Sequence, residues 1–249
     1  MRAKAIELMM ESKMGSTHSI QTFDHTGTFN AYVATPEGSP KAAIIVIQEI
    51  FGVNEGIRRK CDGWASQGYL AVAPDLFWRI KPGIELDPDV EAELQEAFGY
   101  FGQYDPNDGI RDIEATIRAI RSGVGGLDGV AKVGAVGYCL GGKLAYMVAA
   151  RTDIDASVGY YGVMIDQMLD ESHAIANPLM LHIPTADHLV GPEAQAAVHA
   201  GLDDHPRVTL HDYEGLDHGF AAEMGNRRDE AGAELADGRT AAFFAEHLA

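Results

Sequence analysis

The sequence predicts an α/β fold: a mostly parallel, doubly wound sheet preceded by an antiparallel hairpin. Three observations lead there. Ala42-Ala43-Ile44-Ile45-Val46-Ile47 is an unbroken, largely β-branched apolar run, the pattern of a strand buried on both faces. Comparable short runs recur at residues 69–73, 132–136, 156–160, 179–183 and 208–213. Helical segments separate most of them, so successive strands can run parallel with helices on both faces.

The hairpin comes first: residues 19–22 and 29–34 flank Asp24-His25-Thr26-Gly27, a turn sequence. The clearest helix places Ile110, Ile113, Ile117 and Ile120 on one face at 3.6-residue spacing. Asp105-Pro106 precedes it, a side-chain cap followed by proline at the first helical position. Residues 193–202 and 240–248 read as later helices, and the acidic stretches 87–96 and 223–234 read as solvated helical faces. Residues 1–14 read as a helical N-terminal extension and residues 15–249 as a single domain, with no repeat or low-complexity linker.

At 249 residues the chain can bury a sizeable core. Its first strand run is far too short to span a bilayer. The N-terminal residues mix charged and apolar types without a signal-peptide core, so a cytoplasmic location is expected. The formal net charge of −18 argues against nucleic acid or an anionic membrane as partner. An anionic small molecule would need a local cation to overcome that field. The sequence does not set the oligomeric state, and a monomer is compatible with it. Cys61 and Cys139 are the two cysteines, too few for a disulfide framework. Cys61 lies in a helical stretch and reads as a packing residue. Without His-Glu-x-x-His or a paired-cysteine motif, no metal and no cofactor are expected.

The most informative segment is Val133-Gly134-Ala135-Val136-Gly137-Tyr138-Cys139-Leu140-Gly141-Gly142. It has the spacing of the nucleophile elbow G-x-S-x-G, with Cys139 in the serine position. A nucleophile between a strand and a helix sits on a tight turn, and Gly137 and Gly141 allow close backbone approach there. The Leu140 N–H, at the helix start, would then face an oxyanion formed beside the sulfur. The plainer alternative is a small buried cysteine in a glycine-rich turn. The downstream residues weigh against it. The strand at 179–183 leads into Pro184-Thr185-Ala186-Asp187-His188, and the strand at 208–213 into Glu214-Gly215-Leu216-Asp217-His218. Asp187 and His218 thus come after Cys139 in the order acid, then histidine, each after a strand, where open α/β sheets place ligands. Asp217 adjoins His218, but neighbours in sequence rarely present both functional groups to each other, so Asp187 is the better orienting acid. His182 should point into packing, His199 and His205 belong to a helix and its end, and His188 caps the Asp187 loop. The first parallel strand runs into Gln48-Glu49-Ile50-Phe51-Gly52; the Ile50 N–H is the candidate second oxyanion donor. Glu49 could take or hold the thiol proton, or simply pair with Arg58 or Arg59.

Gln48-Glu49-Ile50-Phe51-Gly52-Val53-Asn54, Pro74-Asp75-Leu76-Phe77, the Cys139 elbow, Gly159-Tyr160-Tyr161-Gly162 and His218-Gly219-Phe220-Ala221 together resemble the dienelactone hydrolase family, from about Ser19 to the C-terminus. The resemblance implies an α/β-hydrolase fold, a triad of Cys139, Asp187 and His218, and a Glu49 that hydrogen-bonds the resting thiol. It implies opening of the enol-lactone ring of dienelactone to maleylacetate. It also implies two arginines for the substrate carboxylate. Arg79 matches the first; the second position holds Ala222, with Arg227 and Arg228 as alternatives in the same loop, or else the substrate differs. Rival readings are an esterase or thioesterase for other activated esters and a redox-sensing protein built on Cys139; the intact Asp187 and His218 disfavour the latter.

Overall fold

The structure, a computed structural model, describes residues 15–123, 127 and 129–249, so the expected extension over 1–14 lies outside the described residues. Eight strands form one sheet: β1 (Ser16–Gln21), β2 (Thr28–Ala34), β3 (Ala43–Ile47), β4 (Leu70–Pro74), β5 (Val133–Tyr138), β6 (Ala156–Tyr160), β7 (Leu179–Pro184) and β8 (Val208–Tyr213). Their spatial order is β1-β2-β4-β3-β5-β6-β7-β8. β1 and β2 run antiparallel to each other, and β2 runs antiparallel to β4; from β4 to β8 the neighbours are parallel. This is an α/β-hydrolase fold.

The helices are α1 (Glu55–Ser66), α2 (Glu91–Phe101), α3 (Pro106–Ser122), α4 (Leu140–Arg151), α5 (Pro192–Leu202) and α6 (Glu230–His247), with a 3₁₀ segment at Ile165–Ala174. Alternation along β3 divides the core. Ile45 and Ile47 pack with Ile113, Ile117 and Ile120 of α3 and Leu144 and Val148 of α4. Ile44 and Val46 pack on the other face with Ile57, Cys61 and Trp64 of α1 and Phe244 of α6. Trp64 meets Phe244 edge-on at 5.4 Å, so α1 and α6 share that layer. Both faces of the central strands are thereby covered, which is why their sequences show no polar alternation. No helix among the described residues is long and apolar enough to cross a membrane.

Boundaries at β1, α2 and α6 differ from the sequence reading; α2 starts at Glu91, so residues 87–90 of the acidic stretch lie outside it. β1 begins at Ser16 rather than Ser19. It is an edge strand whose Ser16, Thr17 and His18 pair through backbone with Val33, Tyr32 and Ala31, so polar side chains there carry no apolar signal. α6 begins at Glu230, ten residues ahead of the apolar pattern, and residues 223–228 are loop. Asp229 caps α6 by accepting from the Gly232 N–H at 2.8 Å. Its first half buries Gly232, Ala233 and Ala236, residues too small to mark a helical face. The α3 cap is as the sequence predicts: Asp105 accepts from the Asn107 N–H at 2.8 Å, with Pro106 opening the helix.

Candidate active site

β3, β5, β6, β7 and β8 lie side by side and parallel, so their carboxyl ends open along one edge of the sheet. Glu49 lies just past β3, Cys139 directly after β5, Tyr161 directly after β6, and Asp187 and His218 on the loops leaving β7 and β8. Five separate stretches of sequence are thus brought together by strand order alone.

Cys139 has φ 56° and ψ −112°, a backbone conformation that costs a non-glycine residue about 1–3 kcal/mol. Packing holds it there. Its N–H donates to Tyr160 O at 3.1 Å, and its carbonyl accepts from the Lys143 N–H at 3.2 Å. A Cβ on Gly137 would lie 1.9 Å from the Gly141 carbonyl oxygen, and one on Gly141 would lie 2.4 Å from that of Ile47. The helix can therefore enter against bare strand backbone only with glycine at both places. As the first residue of α4, Leu140 has an N–H with no intrahelical acceptor. Ile50 is buried on the loop that follows β3.

His218 and Asp187 are both buried, and His218 Nδ1 lies 2.9 Å from Asp187 Oδ2 and 3.2 Å from Oδ1. Asp187 Oδ1 also accepts from the Leu189 and Val190 amides at 2.8 and 3.1 Å, which fixes the carboxylate. Asp217 turns outward: it accepts from the backbone of His188 and His218 and lies 2.8 Å from His188 Nδ1. The imidazole therefore meets Asp187 and not its neighbour in sequence. Burial alone would lower the His218 pKa; the Cys139 charge, then the bond to Asp187, overcome it and push His218 up to about 10.

Glu49 is buried and meets neither Arg58 nor Arg59. Arg58 pairs with Glu85 at 2.5 Å, and Arg59 pairs with Glu55. The Glu49 carboxylate accepts from both terminal nitrogens of Arg227, at 3.1 and 3.4 Å. Gly219 makes the space: at φ 80° it comes directly after His218, and a Cβ there would lie 2.7 Å from Arg227 Nη1. The guanidinium also rests over the Phe51 ring at 5.4 Å.

Arg79 is held by its own neighbours. Its guanidinium binds both oxygens of buried Asp112, which Trp78 Nε1 also contacts at 2.9 Å, and it stacks on the Trp78 ring. Asp112 needs a cation in the core, and Arg79 meets that need while part of its side chain stays exposed. Arg79→Ala is accordingly expected to lower stability by about 2–3 kcal/mol, the low side for a buried pair because Arg79 is partly exposed. Urea unfolding measures it.

His182, His199 and His205 lie where the sequence reading puts them. His182 is buried, with Nδ1 2.6 Å from Tyr213 Oη and Nε2 2.9 Å from Thr240 Oγ1. His199 pairs with Asp203 and Asp212, and His205 lies past the end of α5. Tyr161, which the sequence reading does not single out, has φ 38° and a ring edge-on to His218 at 4.9 Å. Its only signal in the sequence is its place after a strand run in Gly-Tyr-Tyr-Gly. Among the described residues Asp187, His188 and Asp217 bring metal-capable atoms within 4.8 Å of one another. Asp187 is committed there to His218, and His188 to Asp217.

Comparison with known proteins identifies the family. The profile of the Dienelactone hydrolase family matches residues 29–248. A protein of Azospirillum brasilense named "Putative carboxymethylenebutenolidase" is 44% identical over 224 residues, covering 89% of this chain and 95% of its own. The carboxymethylenebutenolidase of Pseudomonas putida is 37% identical over 227 residues, covering 91% and 94%. In fold, the chain is similar to a crystal structure titled as a putative dienelactone hydrolase from Klebsiella pneumoniae, with TM-score 0.79 at 24% identity, covering 94% of this chain and 99% of that one. The match along nearly the whole domain, at these identities, makes the chain a carboxylic ester hydrolase that belongs to the dienelactone hydrolase family.

Proposed function

We propose that this hydrolase opens a small carboxylate-bearing enol-lactone, dienelactone to maleylacetate, through a thioester on Cys139. The observation that carries the reading is the buried Asp187–His218 pair beside a cysteine held in an elbow conformation. Cys139 Sγ attacks the lactone carbonyl carbon and forms the S–C bond. The Leu140 and Ile50 amides receive the negative charge on the carbonyl oxygen. The ring C–O bond then breaks, and the departing enolate takes the proton carried by His218. Neutral His218, oriented by Asp187, takes a proton from water; the hydroxide attacks the thioester, the C–S bond breaks, and the acid leaves. Because an enol leaves more readily than an alkoxide, simple alkyl esters are expected to be poor substrates.

Glu49 is assigned the hydrogen bond to the resting thiol. Its pairing with Arg227 corresponds to the stage at which the thiol proton has moved to the imidazole. Arg227 supplies the cation for the substrate carboxylate that Ala222 lacks and that Arg79, bound to Asp112, does not offer. Arg227→Lys keeps the charge beside Glu49 but loses the planar fork. It is expected to raise KM for dienelactone about tenfold, as for a charge-assisted contact of about 1.5–3 kcal/mol, and to change KM for a neutral aryl ester less than about twofold. Arg79→Ala should leave the ratio between the two substrates unchanged. A selective loss in Arg79→Ala, with none in Arg227→Lys, would reverse the assignment. A reducing cytoplasm suits a free nucleophilic thiol, and the substrate is the one partner the site calls for. Turnover of cis- and trans-dienelactone against simple aryl esters tests the substrate class directly; faster turnover of the aryl esters would favour the general esterase reading.

A further inference from the structure

Among the described residues, Tyr104 Oη, Tyr161 Oη and Arg227 Nε are buried side-chain polar atoms with no hydrogen-bond partner, and His218 Nε2 has none but the Cys139 sulfur. All but the first belong to groups that feel the Cys139 charge. The proposed reaction gives His218 Nε2 the thiol proton and the Arg227 guanidinium the substrate carboxylate. It leaves the Tyr161 hydroxyl unexplained. An unpaired buried hydroxyl costs a protein about 1–3 kcal/mol, so its retention beside a reactive site points to an acceptor that becomes available during the reaction.

The surroundings narrow the choice of acceptor. The Tyr161 ring is fixed edge-on between His218 at 4.9 Å and Phe220 at 5.7 Å, and its N–H donates to His182 O at 2.9 Å. Tyr161 and Glu49 line the same small internal cavity, whose wall includes Ala222. Burial first, then the charge of Glu49, pushes the phenol well above its ordinary pKa, so it is a donor and not a base. Glu49 spends its hydrogen bonds on Arg227, the residue assigned to the substrate carboxylate.

We propose that Tyr161 is a positioning residue: when a substrate carboxylate draws on the Arg227 guanidinium, the Tyr161 hydroxyl donates to Glu49 and replaces the bond that Glu49 gives up. Without that replacement, buried Glu49 holds Arg227 and competes with the substrate for it. The inference rests on the carboxylate reading of Arg227.

Tyr161→Phe removes the oxygen and keeps the ring, and its two effects should have opposite sense. The free enzyme should melt at the same temperature as wild type or higher, because an unpaired polar atom has gone. KM for dienelactone should rise about tenfold with kcat changed less than threefold, and KM for a neutral aryl ester should stay within about twofold. A lowered Tm would mean that the hydroxyl already has a partner and overturns the proposal. Unchanged kinetics on dienelactone would overturn it too, as would equal losses on both substrates. Arg227→Lys, run beside it, separates the two ideas. If that variant raises KM while Tyr161→Phe does not, only the role of Tyr161 falls; if neither does, the carboxylate reading falls with it.

Discussion

Cys139→Ala should lose hydrolysis of dienelactone by about a thousandfold or more, while its unfolding midpoint in urea stays close to that of wild type. The large kinetic effect stems from the proposed covalent step: the sulfur forms the bond to the acyl carbon, and no neighbouring group can take its place. The small effect on stability stems from the structure. Cys139 is buried at the sheet edge, and the elbow around it is set by Gly137, Gly141 and backbone hydrogen bonds that alanine retains. Mass spectrometry of enzyme quenched during turnover should place the acyl adduct on Cys139. Full activity in Cys139→Ala, or an adduct found only on Cys61, would remove the thioester mechanism. It would also revive the rival in which Cys139 is a redox sensor.

His218→Asn is expected to cost a comparable amount, because the same ring gives a proton to the leaving enolate and then takes one from water. The structure adds a test that does not depend on turnover. Burial opposes the imidazolium, and the Cys139 charge is the strongest influence holding His218 up at about 10. Capping the sulfur with iodoacetamide removes that charge, as acylation would. The His218 pKa must then fall, so that the ring is protonated before attack and neutral when water has to be activated. NMR titration of His218 in free and capped enzyme measures the fall. A value still near 10 after capping would mean that Asp187 alone holds the proton, and His218 could not serve as base in the acyl-enzyme near neutral pH.

Much of this was legible in the sequence because it depends on local chemistry. The β-branched run before Gln48 had to be a central strand. The cap at Asp105-Pro106 and the isoleucine stripe behind it had to be a helix. The glycines around Cys139 had to be a turn of close backbone approach. Asp187 and His218 could be placed because strand ends in a parallel sheet share one edge, so their order in the chain already fixed their side of the molecule. What the sequence concealed depends on pairing across long separations. That Arg79 is consumed by Asp112 turns on how α3 packs against the loop after β4. That Glu49 meets Arg227, rather than the arginines a turn or two away on α1, turns on the loop after β8 folding back past Gly219. The first half of α6 was concealed for another reason: glycine and alanine bury well against neighbours such as Leu216, yet leave no periodic stripe to read.

The second cysteine offers an internal clock. Cys61 is fully enclosed between α1 and the sheet, in the layer shared with Trp64 and Phe244, and burial drives its thiol pKa well above the ordinary value. A thiol reagent can reach it only when that layer opens. In a protein whose other cysteine has been replaced, the rate at which Cys61 is modified reports how often α1 leaves the sheet, without denaturant. Comparing that rate with the unfolding free energy from urea would tell whether the layer opens by itself or only when the whole domain comes apart.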